Sequence, residues 1–355
     1  MDKKRVVVAM SGGVDSSVAA ALLTQQGYNV IGMMLRLWNE PCKEASNRCC
    51  TPYAMAQAKR VASILNIPFY VLDAQIPFYN SVVKYFLQSY LNGNTPNPCL
   101  ICNREIRWGY LLNHALAIGA DYIATGHYVR NEKNNQGQFI LKKGLDSNKD
   151  QSYVLYVLNQ TQLSHSLFPL GQYLKTEVRQ LARDFNLPVA DKEESQDLCF
   201  LADEDYRSFI LRNACVEIKP GIIVNSQNKL LGQHNGLPFY TIGQRKGLNI
   251  SSESPYYVIK KDVQNNVLIA GKTEERASKS LFIENMNWIS GTPSLTSSNI
   301  KVMVRYRSKA KPCTIQEINS TKLRIDLLET INDVAPGQAA VLYQDDICLG
   351  GGIIT

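Results

Sequence analysis

The sequence predicts an α/β protein with a doubly wound, mostly parallel sheet, followed by a small β-rich central domain and a C-terminal β-barrel. The first half of the 355-residue chain alternates short apolar runs with segments of helical periodicity, which is the pattern of βαβ units. After about residue 203 the pattern changes to short alternating runs separated by Gly, Asn, Ser and Pro, which indicate strands and turns. We therefore expect domains at 1–203, 204–275 and 280–355.

The first-half elements follow in order along the chain. Apolar runs predict strands at 6–10, 30–35, 69–72 and 122–124, and helical periodicity predicts helices at 16–26, 53–66, 105–118 and 175–186. Gly27 suits the C-cap of the first helix, and Thr51 and Pro52 suit the N-cap and first turn of the second. Ligands of such a sheet bind beyond the carboxyl ends of its strands. A Gly-rich loop and Thr125-Gly126-His127 both follow such ends.

The Gly-rich loop is Ser11-Gly12-Gly13-Val14-Asp15-Ser16-Ser17. Its two glycines allow a tight turn and close approach of a ligand, and the hydroxyls of its serines and the first N–H groups of the next helix are expected to point at one spot. An oxyanion such as phosphate fits there. The lysine of a P-loop is absent from this turn. A turn that binds nothing is the alternative.

Composition restricts the class of protein further. With 45% hydrophobic and 19% charged residues, the chain can bury a sizeable core. Neither a signal peptide nor a membrane span is recognisable, so we expect a cytoplasmic protein. In such a reducing compartment the nine cysteines are expected to be reactive, metal-binding or buried rather than joined in structural disulfides.

A basic segment lies near the C-terminus, in a chain of formal net charge +7. Five cations fall within eleven residues that contain no acid, and they alternate with apolar side chains, which predicts a strand with one basic face. Nucleic acid is the expected partner of such a face, and a solvated surface strand is the alternative. The cations are Lys301, Arg305, Arg307, Lys309 and Lys311.

Two cysteines, Cys99 and Cys102, stand three positions apart in Thr95-Pro96-Asn97-Pro98-Cys99-Leu100-Ile101-Cys102-Asn103. We place them at the start of a helix, where the N-terminus favours the thiolate form and hence reactivity. Half of a zinc site is the alternative. It would require a second spaced pair, whereas Cys49 and Cys50 are adjacent.

Eight motifs in this order resemble those of the bacterial and mitochondrial tRNA-specific 2-thiouridylases, which belong to the ATP pyrophosphatase superfamily with an adenine nucleotide alpha hydrolase-like fold. The resemblance covers nearly the whole chain. The motifs are the Ser-Gly-Gly-Val-Asp-Ser loop, the Thr-Pro-Asn-Pro segment through Asn103, residues 124–128, Lys149-Asp150-Gln151-Ser152-Tyr153, Cys199-Phe200, residues 240–247, Pro336-Gly337-Gln338 and residues 350–352.

The resemblance implies ATP-dependent replacement of the C2 oxygen of the wobble uridine by sulfur, in tRNA isoacceptors for lysine, glutamate and glutamine. Cys102 matches the family nucleophile, Cys199 matches the cysteine that carries the persulfide, and a disulfide bond is part of this chemistry. The implied ATP-binding residues are Ala9, Met10, Ser11, Gly12, Gly13, Val14, Asp15, Ser16, Leu35 and Gly126. The implied tRNA-binding residues are Asn97, Pro98, Cys99, His127, Lys149, Asp150, Gln151, Arg305, Tyr306 and Gln338.

The chemistry agrees with these residue types. A uridine carbonyl needs its oxygen turned into a leaving group, which adenylation by ATP with Mg²⁺ achieves. Sulfur must then arrive as a nucleophile, from a persulfide with a second thiol that releases it. The expected partners are therefore tRNA and a sulfur donor protein, either a cysteine desulfurase or a relay carrier. The target base should be splayed out of the anticodon loop.

This sequence departs from the family pattern at Cys99, where many members carry Asp. The thiol is either an acid/base group, a second resolving thiol or a positioning group. Cys42, Cys49 and Cys50 lie in an insertion-like loop and are either incidental or, with Cys99 and Cys102, ligands of an iron–sulfur cluster.

Two other functions remain open from the residues alone. A synthetase of the same superfamily acting on a small amide or acid would share the Gly-rich loop without needing the basic segment or the two thiols. A nucleotide-sensing or RNA-binding module would release no pyrophosphate.

Overall fold

The computed structural model describes residues 3–40, 51–193, 198–201, 205–292, 299–319 and 321–355. Helices α1 to α8 within these residues are Val14–Gln25, Pro52–Ile64, 75–91, 98–117, Ser152–Leu155, Gln160–Ser164, Lys175–Asp184 and Tyr206–Asn213. Strands β1 to β17 are Arg5–Ala9, Asn29–Arg36, Phe69–Asp73, Tyr122–Ala124, Val129–Lys133, Phe139–Lys143, Ser166–Leu167, Gly221–Val224, Leu230–His234, Tyr257–Asp262, Val267–Gly271, Ala277–Trp288, Ile300–Met303, Lys311–Asn319, Lys322–Asn332, Ala339–Gln344 and Ile347–Ile354.

The first sheet has five strands in the order β3-β2-β1-β4-β7, and all of its pairs are parallel. Successive side chains of β1 face opposite sides, so Val6 packs with α1 and α7 whereas Val7 packs with the end of α4. Helices therefore cover both faces, as a doubly wound sheet requires. This confirms the predicted α/β class and all four predicted strands of this sheet.

Four helices, α3, α5, α6 and α8, were not predicted from the sequence. Helix α3 carries Pro77 near its start and a wider turn over Tyr79–Val83 that breaks the regular 3.6-residue period. Helix α4 begins at Pro98, before the periodic segment predicted from residue 105, and this start agrees with the placement of Cys99 and Cys102 at the start of a helix. Within it the backbone again widens over Cys102–Leu111, and the amide of Leu112 bonds to the carbonyl of Arg107, five residues back.

Two β units complete the fold. The small central sheet has the order β10-β11-β8-β9. The C-terminal strands β12-β15-β14-β13-β16-β17 form a barrel, which the antiparallel pairing of β12 with β17 closes. The fold class predicted for the second half is thus confirmed.

A hairpin from the first half of the chain joins the barrel. In sequence, strands β5 and β6 lie between β4 and β7 of the first sheet, yet β6 pairs with β17, with Leu141 opposite Cys348 and Lys142 opposite Ile347. The carboxylate of Asp346 strengthens this junction because it accepts a hydrogen bond from Arg130 at 2.6 Å. The first half of the chain therefore contributes two strands to the sheet of the barrel.

The basic segment 301–311 is not a single strand, so that prediction was wrong. Strand β13 ends at Met303, and β14 starts at Lys311 and pairs back with Val302. Arg307 has φ of +62°, and the amide of Ser308 donates to the carbonyl of Arg305, which makes a turn. The cations Arg305, Arg307 and Lys309 lie on this loop instead of on one face of a strand.

Candidate active site

The Gly-rich loop connects β1 to α1 at the carboxyl edge of the first sheet. Gly12 has φ of +69°, and a Cβ there would lie 2.3 Å from the carbonyl oxygen of Ala54, so only glycine fits. Ser16 Oγ accepts a hydrogen bond from the amide of Ser11 at 3.2 Å. The N-cap residue of α1 is Gly13, which has no side chain to cap the first turn. This loop has the form of an oxyanion site at a helix N-terminus.

The serines of the loop are less available than the sequence suggested. Ser17 is fully buried, and its hydroxyl donates to the carbonyl of Gly13 at 2.8 Å. Ser16 Oγ contacts the same carbonyl at 3.3 Å. These hydroxyls hold the loop in shape, and Ser11 remains the exposed serine of the motif. The expectation that all three hydroxyls point at a ligand was wrong for Ser17.

Gly126 borders the loop from the next strand. A Cβ on Gly126 would lie 2.8 Å from the carbonyl carbon of Asp15 and 2.8 Å from the amide nitrogen of Ser16. The turn after β4 therefore packs directly against the start of α1. The predicted nucleotide residues Gly126 and Ala9 to Ser16 lie together, while Leu35 lies near the carboxyl end of the neighbouring strand β2.

Two lysines that sequence reasoning missed contact this loop. Lys175, at the start of α7, is buried, and its Nζ donates to Asp15 Oδ1 at 2.6 Å. Lys192 Nζ donates to the carbonyl of Gly12 at 2.9 Å. The hydroxyl of Tyr128 donates to the same Asp15 oxygen at 2.7 Å. The positive charge that a P-loop carries within its own turn is supplied here from distant segments.

The candidate thiols differ in exposure. Cys99 is exposed, Cys102 is buried and Cys199 is half-buried. Asn97 caps α4, since its Oδ1 accepts from the amide of Cys99 at 3.1 Å. The six cysteines of the described residues are thiols, so the structure does not support a disulfide bond. Of the five cysteines in the iron–sulfur alternative, Cys42, Cys49 and Cys50 lie outside the described residues.

One aromatic cluster connects Cys102 with Cys199. Cys102 belongs to this cluster and Cys199 packs against it. Phe200, the neighbour of Cys199, lies at its centre, with ring centroids 5.2 Å from Phe86 and 5.4 Å from Phe209. The fold thus places two cysteines that are 97 positions apart in sequence at the same hydrophobic cluster. Their roles in catalysis stay predictions.

His127 is buried and packs against α4. Its Nδ1 shares a hydrogen bond of 2.8 Å with Thr125 Oγ1, and its ring lies 5.8 Å from that of Trp108. Burial lowers the pKa of His127 well below its ordinary value of 6.5, and the nearby Arg107 guanidinium lowers it further. His127 is therefore neutral at neutral pH. A direct contact of this buried ring with tRNA remains a prediction.

The side chain of Asn103, next to Cys102, fixes the position of α4. Asn103 is fully buried, and its Nδ2 donates to the carbonyl of Val154 at 2.7 Å. Its Oδ1 accepts from Arg107 at 2.6 Å. The amide thereby ties the helix that carries the thiols to α5.

The predicted tRNA-binding residues form two groups. In the first, Lys149, Asp150 and Tyr306 line a 430 Å³ cavity between the loop before α5 and the loop after β13, and Arg307 also faces this cavity. Asp150 has a structural role there as well, because its Oδ1 accepts from the amides of Gly144 and Ser152.

The second group lies where the barrel meets α4. Gln338 Nε2 donates to the carbonyl of Thr95 at 2.8 Å, and the amide of Thr95 donates to the carbonyl of Pro336. A Cβ on Gly337 would lie 3.0 Å from the amide nitrogen of Thr95, so the turn sits tightly against the segment that leads to Asn97. Gln338 is thereby held at Thr95, two residues before Asn97.

The described residues were also compared with what a metal site and a membrane-spanning helix require. The described residues contain no group of three or more His, Cys, Asp or Glu side chains arranged to hold a metal ion. None of the helices in the described ranges has the length and apolar character needed to span a bilayer.

Three family models match the chain in succession. They are the tRNA methyl transferase HUP domain over residues 4–203, the tRNA methyl transferase PRC-barrel domain over 208–272 and the aminomethyltransferase beta-barrel domain over 278–354. The first alone covers more than half of the chain. The fold and the loop therefore define a HUP-domain protein with two appended β domains.

Full-length relatives narrow this class. The chain is 47% identical over 354 residues to tRNA-specific 2-thiouridylase MnmA 2 of Thermoanaerobacter sp. (strain X514), covering 99% of this chain and 97% of that protein. It is 46% identical over 351 residues to tRNA-specific 2-thiouridylase MnmA of Moorella thermoacetica, covering 98% of each chain. The chain belongs to the tRNA-specific 2-thiouridylase family, which confirms the resemblance seen in the sequence.

Solved structures are more distant. An NMN synthetase from Francisella tularensis superposes with a TM-score of 0.36 and 19% identity, over 57% of this chain and 68% of that one. A 4-thiouridine synthetase solved as an RNA complex with bound ATP gives 0.36 and 15%, over 59% and 50% of the two chains.

Proposed function

We propose that this chain is a tRNA uridine 2-sulfurtransferase, which uses ATP to replace the C2 oxygen of the wobble uridine by sulfur. One observation carries the proposal: an oxyanion loop and two thiols on a shared aromatic cluster lie in one HUP domain. The relatives' names give tRNA as the substrate and 2-thiolation of uridine as the reaction. The proposed tRNAs are the lysine, glutamate and glutamine isoacceptors.

The adenylation step uses the loop at the start of α1. Its amides receive phosphate oxygens of ATP, Gly126 borders the nucleotide, and the backbone of Leu35 receives the adenine. Lys175 and Lys192 add positive charge beside the leaving pyrophosphate. The uridine C2 oxygen attacks the α-phosphate, so that a P–O bond forms to the base and pyrophosphate departs.

Mg²⁺ fits this site because the partly exposed carboxylate of Asp15 supplies the hard oxygen ligand that this ion takes in addition to phosphates. When bound, the ion neutralises charge on the phosphates. The residues do not offer a further cluster for another metal within the described ranges.

The sulfur step uses the two thiols. The terminal sulfur of a Cys199 persulfide attacks C2 of the adenylated base, and AMP leaves with the former carbonyl oxygen. The Cys102 thiolate then attacks the Cys199 sulfur and breaks the S–S bond, which leaves the thiolated base and a Cys102–Cys199 disulfide. A thiol reductant restores both cysteines, and a sulfur donor protein reloads Cys199. Cys99, exposed at the start of α4, lies beside the target base.

The remaining residues bind tRNA. Lys149, Asp150 and Tyr306 line the 430 Å³ cavity, and Arg305 lies on the adjoining loop. Gln151 is hydrogen-bonded to Tyr128 beside this group, and the group of Gln338 and Asn97 to Cys99 faces the target nucleotide. In this proposal residues 1–203 catalyse, 280–355 hold the tRNA and 204–275 join them, in the cytoplasm where tRNA is modified.

Exchange of labelled pyrophosphate into ATP, measured with and without tRNA, tests the proposal. We expect exchange only with tRNA, and its loss in Asp15→Asn. Asp121→Asn is the matched control, because this carboxylate accepts from the amide of Arg5 at the amino edge of the sheet, opposite the loop. Exchange that ignores tRNA would favour a synthetase of a small acid or amide, and a complete lack of exchange would favour a binding module.

A further inference from the structure

Asp15 receives two hydrogen bonds from outside its own loop, and both donors are buried. Tyr128 donates from its hydroxyl at 2.7 Å and Lys175 from its Nζ at 2.6 Å, both to Oδ1. Tyr128 is 3% exposed and Lys175 is 8% exposed. Burial weakens solvent screening, so these contacts fix the carboxylate more firmly than surface contacts would.

Tyr128 is bound through its backbone to the segment 146–151, which includes three of the predicted tRNA contacts. Its amide donates to Gln151 Oε1 at 3.1 Å, and the amide of Gln151 donates to its carbonyl at 3.2 Å. Gly144 packs so closely that a Cβ there would lie 2.6 Å from the same carbonyl oxygen. A shift of Gln151 therefore moves Tyr128 as well.

Lys175 is bound to the same segment by a second route. Its amide donates to Asp146 Oδ2 at 3.0 Å. Asp146 in turn organises the next residues, because its Oδ1 accepts from the amide of Asn148 and its carbonyl accepts from the amide of Lys149. The start of α7 and the segment 146–151 thus form one hydrogen-bonded unit.

We infer that Tyr128 and Lys175 are positioning residues that couple the nucleotide loop to the tRNA-contacting segment 146–151. Binding of tRNA to this segment fixes Tyr128 and Lys175, and these fix the carboxylate of Asp15 where ATP binds. The inference rests on the proposed function, since it takes that segment as a tRNA contact and the loop as the ATP site. It adds that each substrate strengthens the binding of the other.

Such coupling has a chemical benefit. An ATP site assembled without tRNA exposes the α-phosphate to water, whereas a site completed by tRNA brings the phosphate together with the uridine oxygen. Coupling between two sites is reciprocal, so the factor by which tRNA lowers the Kd of the nucleotide must equal the factor by which the nucleotide lowers the Kd of tRNA.

Calorimetry on the full chain measures this factor, with a non-hydrolysable ATP analogue and unmodified tRNA transcript. We expect a factor of about tenfold in the parent, within the usual range for linked sites. Tyr128→Phe and Lys175→Met should each reduce it at least threefold, and the double variant should bring it close to one. Thermal unfolding checks that each variant is folded.

Tyr122→Phe is the matched control, because its hydroxyl accepts from Lys4 at the opposite edge of the sheet. It should keep the parent's coupling factor. If Tyr128 had a merely structural role, Tyr128→Phe would weaken the binding of both the nucleotide and tRNA but leave the coupling factor unchanged. A parent factor of one, or an unchanged factor in both Tyr128→Phe and Lys175→Met, would overturn the inference while leaving the proposed function intact. Loss of tRNA binding in the parent itself would overturn the proposed function.

Discussion

Replacing the two cations of the 430 Å³ cavity tests whether it receives the tRNA backbone. Lys149 and Arg307 reach the cavity from segments 158 positions apart, one before α5 and one after β13. Each phosphate contact contributes roughly 0.7–0.9 to the slope of log Kd against log salt. We expect Lys149→Gln and Arg307→Gln to reduce the slope by about this amount each, and the double variant by about 1.4–1.8.

The magnitude can be read directly in a titration. A fourfold rise in salt weakens binding by a factor of roughly three for every phosphate contact. Over this range the Kd of each single variant should therefore rise about threefold less than the Kd of the parent. Filter binding or fluorescence anisotropy at four salt concentrations measures the slope. Lys4→Gln removes the same charge at the amino edge of the first sheet and should leave it unchanged. Equal slopes in the parent, the two single variants and the double variant would refute the assignment of the cavity to RNA.

Three further predictions follow from individual side chains. Cys199→Ser should abolish persulfide formation yet allow adenylated tRNA to accumulate, whereas Cys102→Ser should load the persulfide and fail to resolve it. Mass spectrometry of trapped intermediates separates the two variants. Normal tRNA thiolation by either variant would contradict the role proposed for the cysteine that it replaces. Burial lowers the pKa of His127 below 6.5, so below pH 6.5 the unfolded chain binds a proton there that the folded chain does not. The free energy of unfolding of the parent should therefore fall, relative to that of His127→Gln, by up to about 1.4 kcal/mol per pH unit below pH 6.5. Parallel plots of unfolding free energy against pH for the two proteins would exclude this. Burial lowers the pKa of Lys261 from 10.5 to about 8, so between these pH values the unfolded chain holds a proton that the folded chain has lost. As pH rises through this range, the free energy of unfolding of the parent should increase by on the order of 3 kcal/mol relative to that of Lys261→Met. Calorimetry that shows no such increase would contradict this prediction.

The sequence predicted those parts of the site whose residues are neighbours in the chain. Gly12 and Gly13 sufficed to predict the strand-to-helix turn, and the segment from Thr95 to Asn103 sufficed to place Cys99 at the start of a helix. Lys175 and Lys192 could not be found in this way. They lie 160 and 177 positions beyond Asp15 in sequence. Only the packing of α7, and of the segment that follows it, against α1 brings them to the loop.

Two failures of sequence-based prediction have local physical causes. The alternation at 301–311 resembles a strand, but nothing in the side-chain pattern reveals that Arg307 adopts a left-handed backbone conformation and turns the chain. The hairpin of β5 and β6 was missed because its strands are rich in Asn, Lys and Glu, and are only partly buried. Their strand conformation comes from long-range pairing rather than from propensity.

The pairing of β6 with β17 has a consequence for biosynthesis. A ribosome adds roughly 5–20 residues per second, so Ile347 emerges about 10–40 s after Lys142, its partner across the sheet. During that interval the edge of β6 has no neighbour, and an open edge invites pairing with other nascent chains. The cations Lys142 and Lys143 on this strand discourage such pairing. A ribosome that stalls within the barrel would therefore leave a complete Gly-rich loop on a chain with an unprotected sheet edge, which exposes the nascent polypeptide to mispairing until its last strand is synthesised.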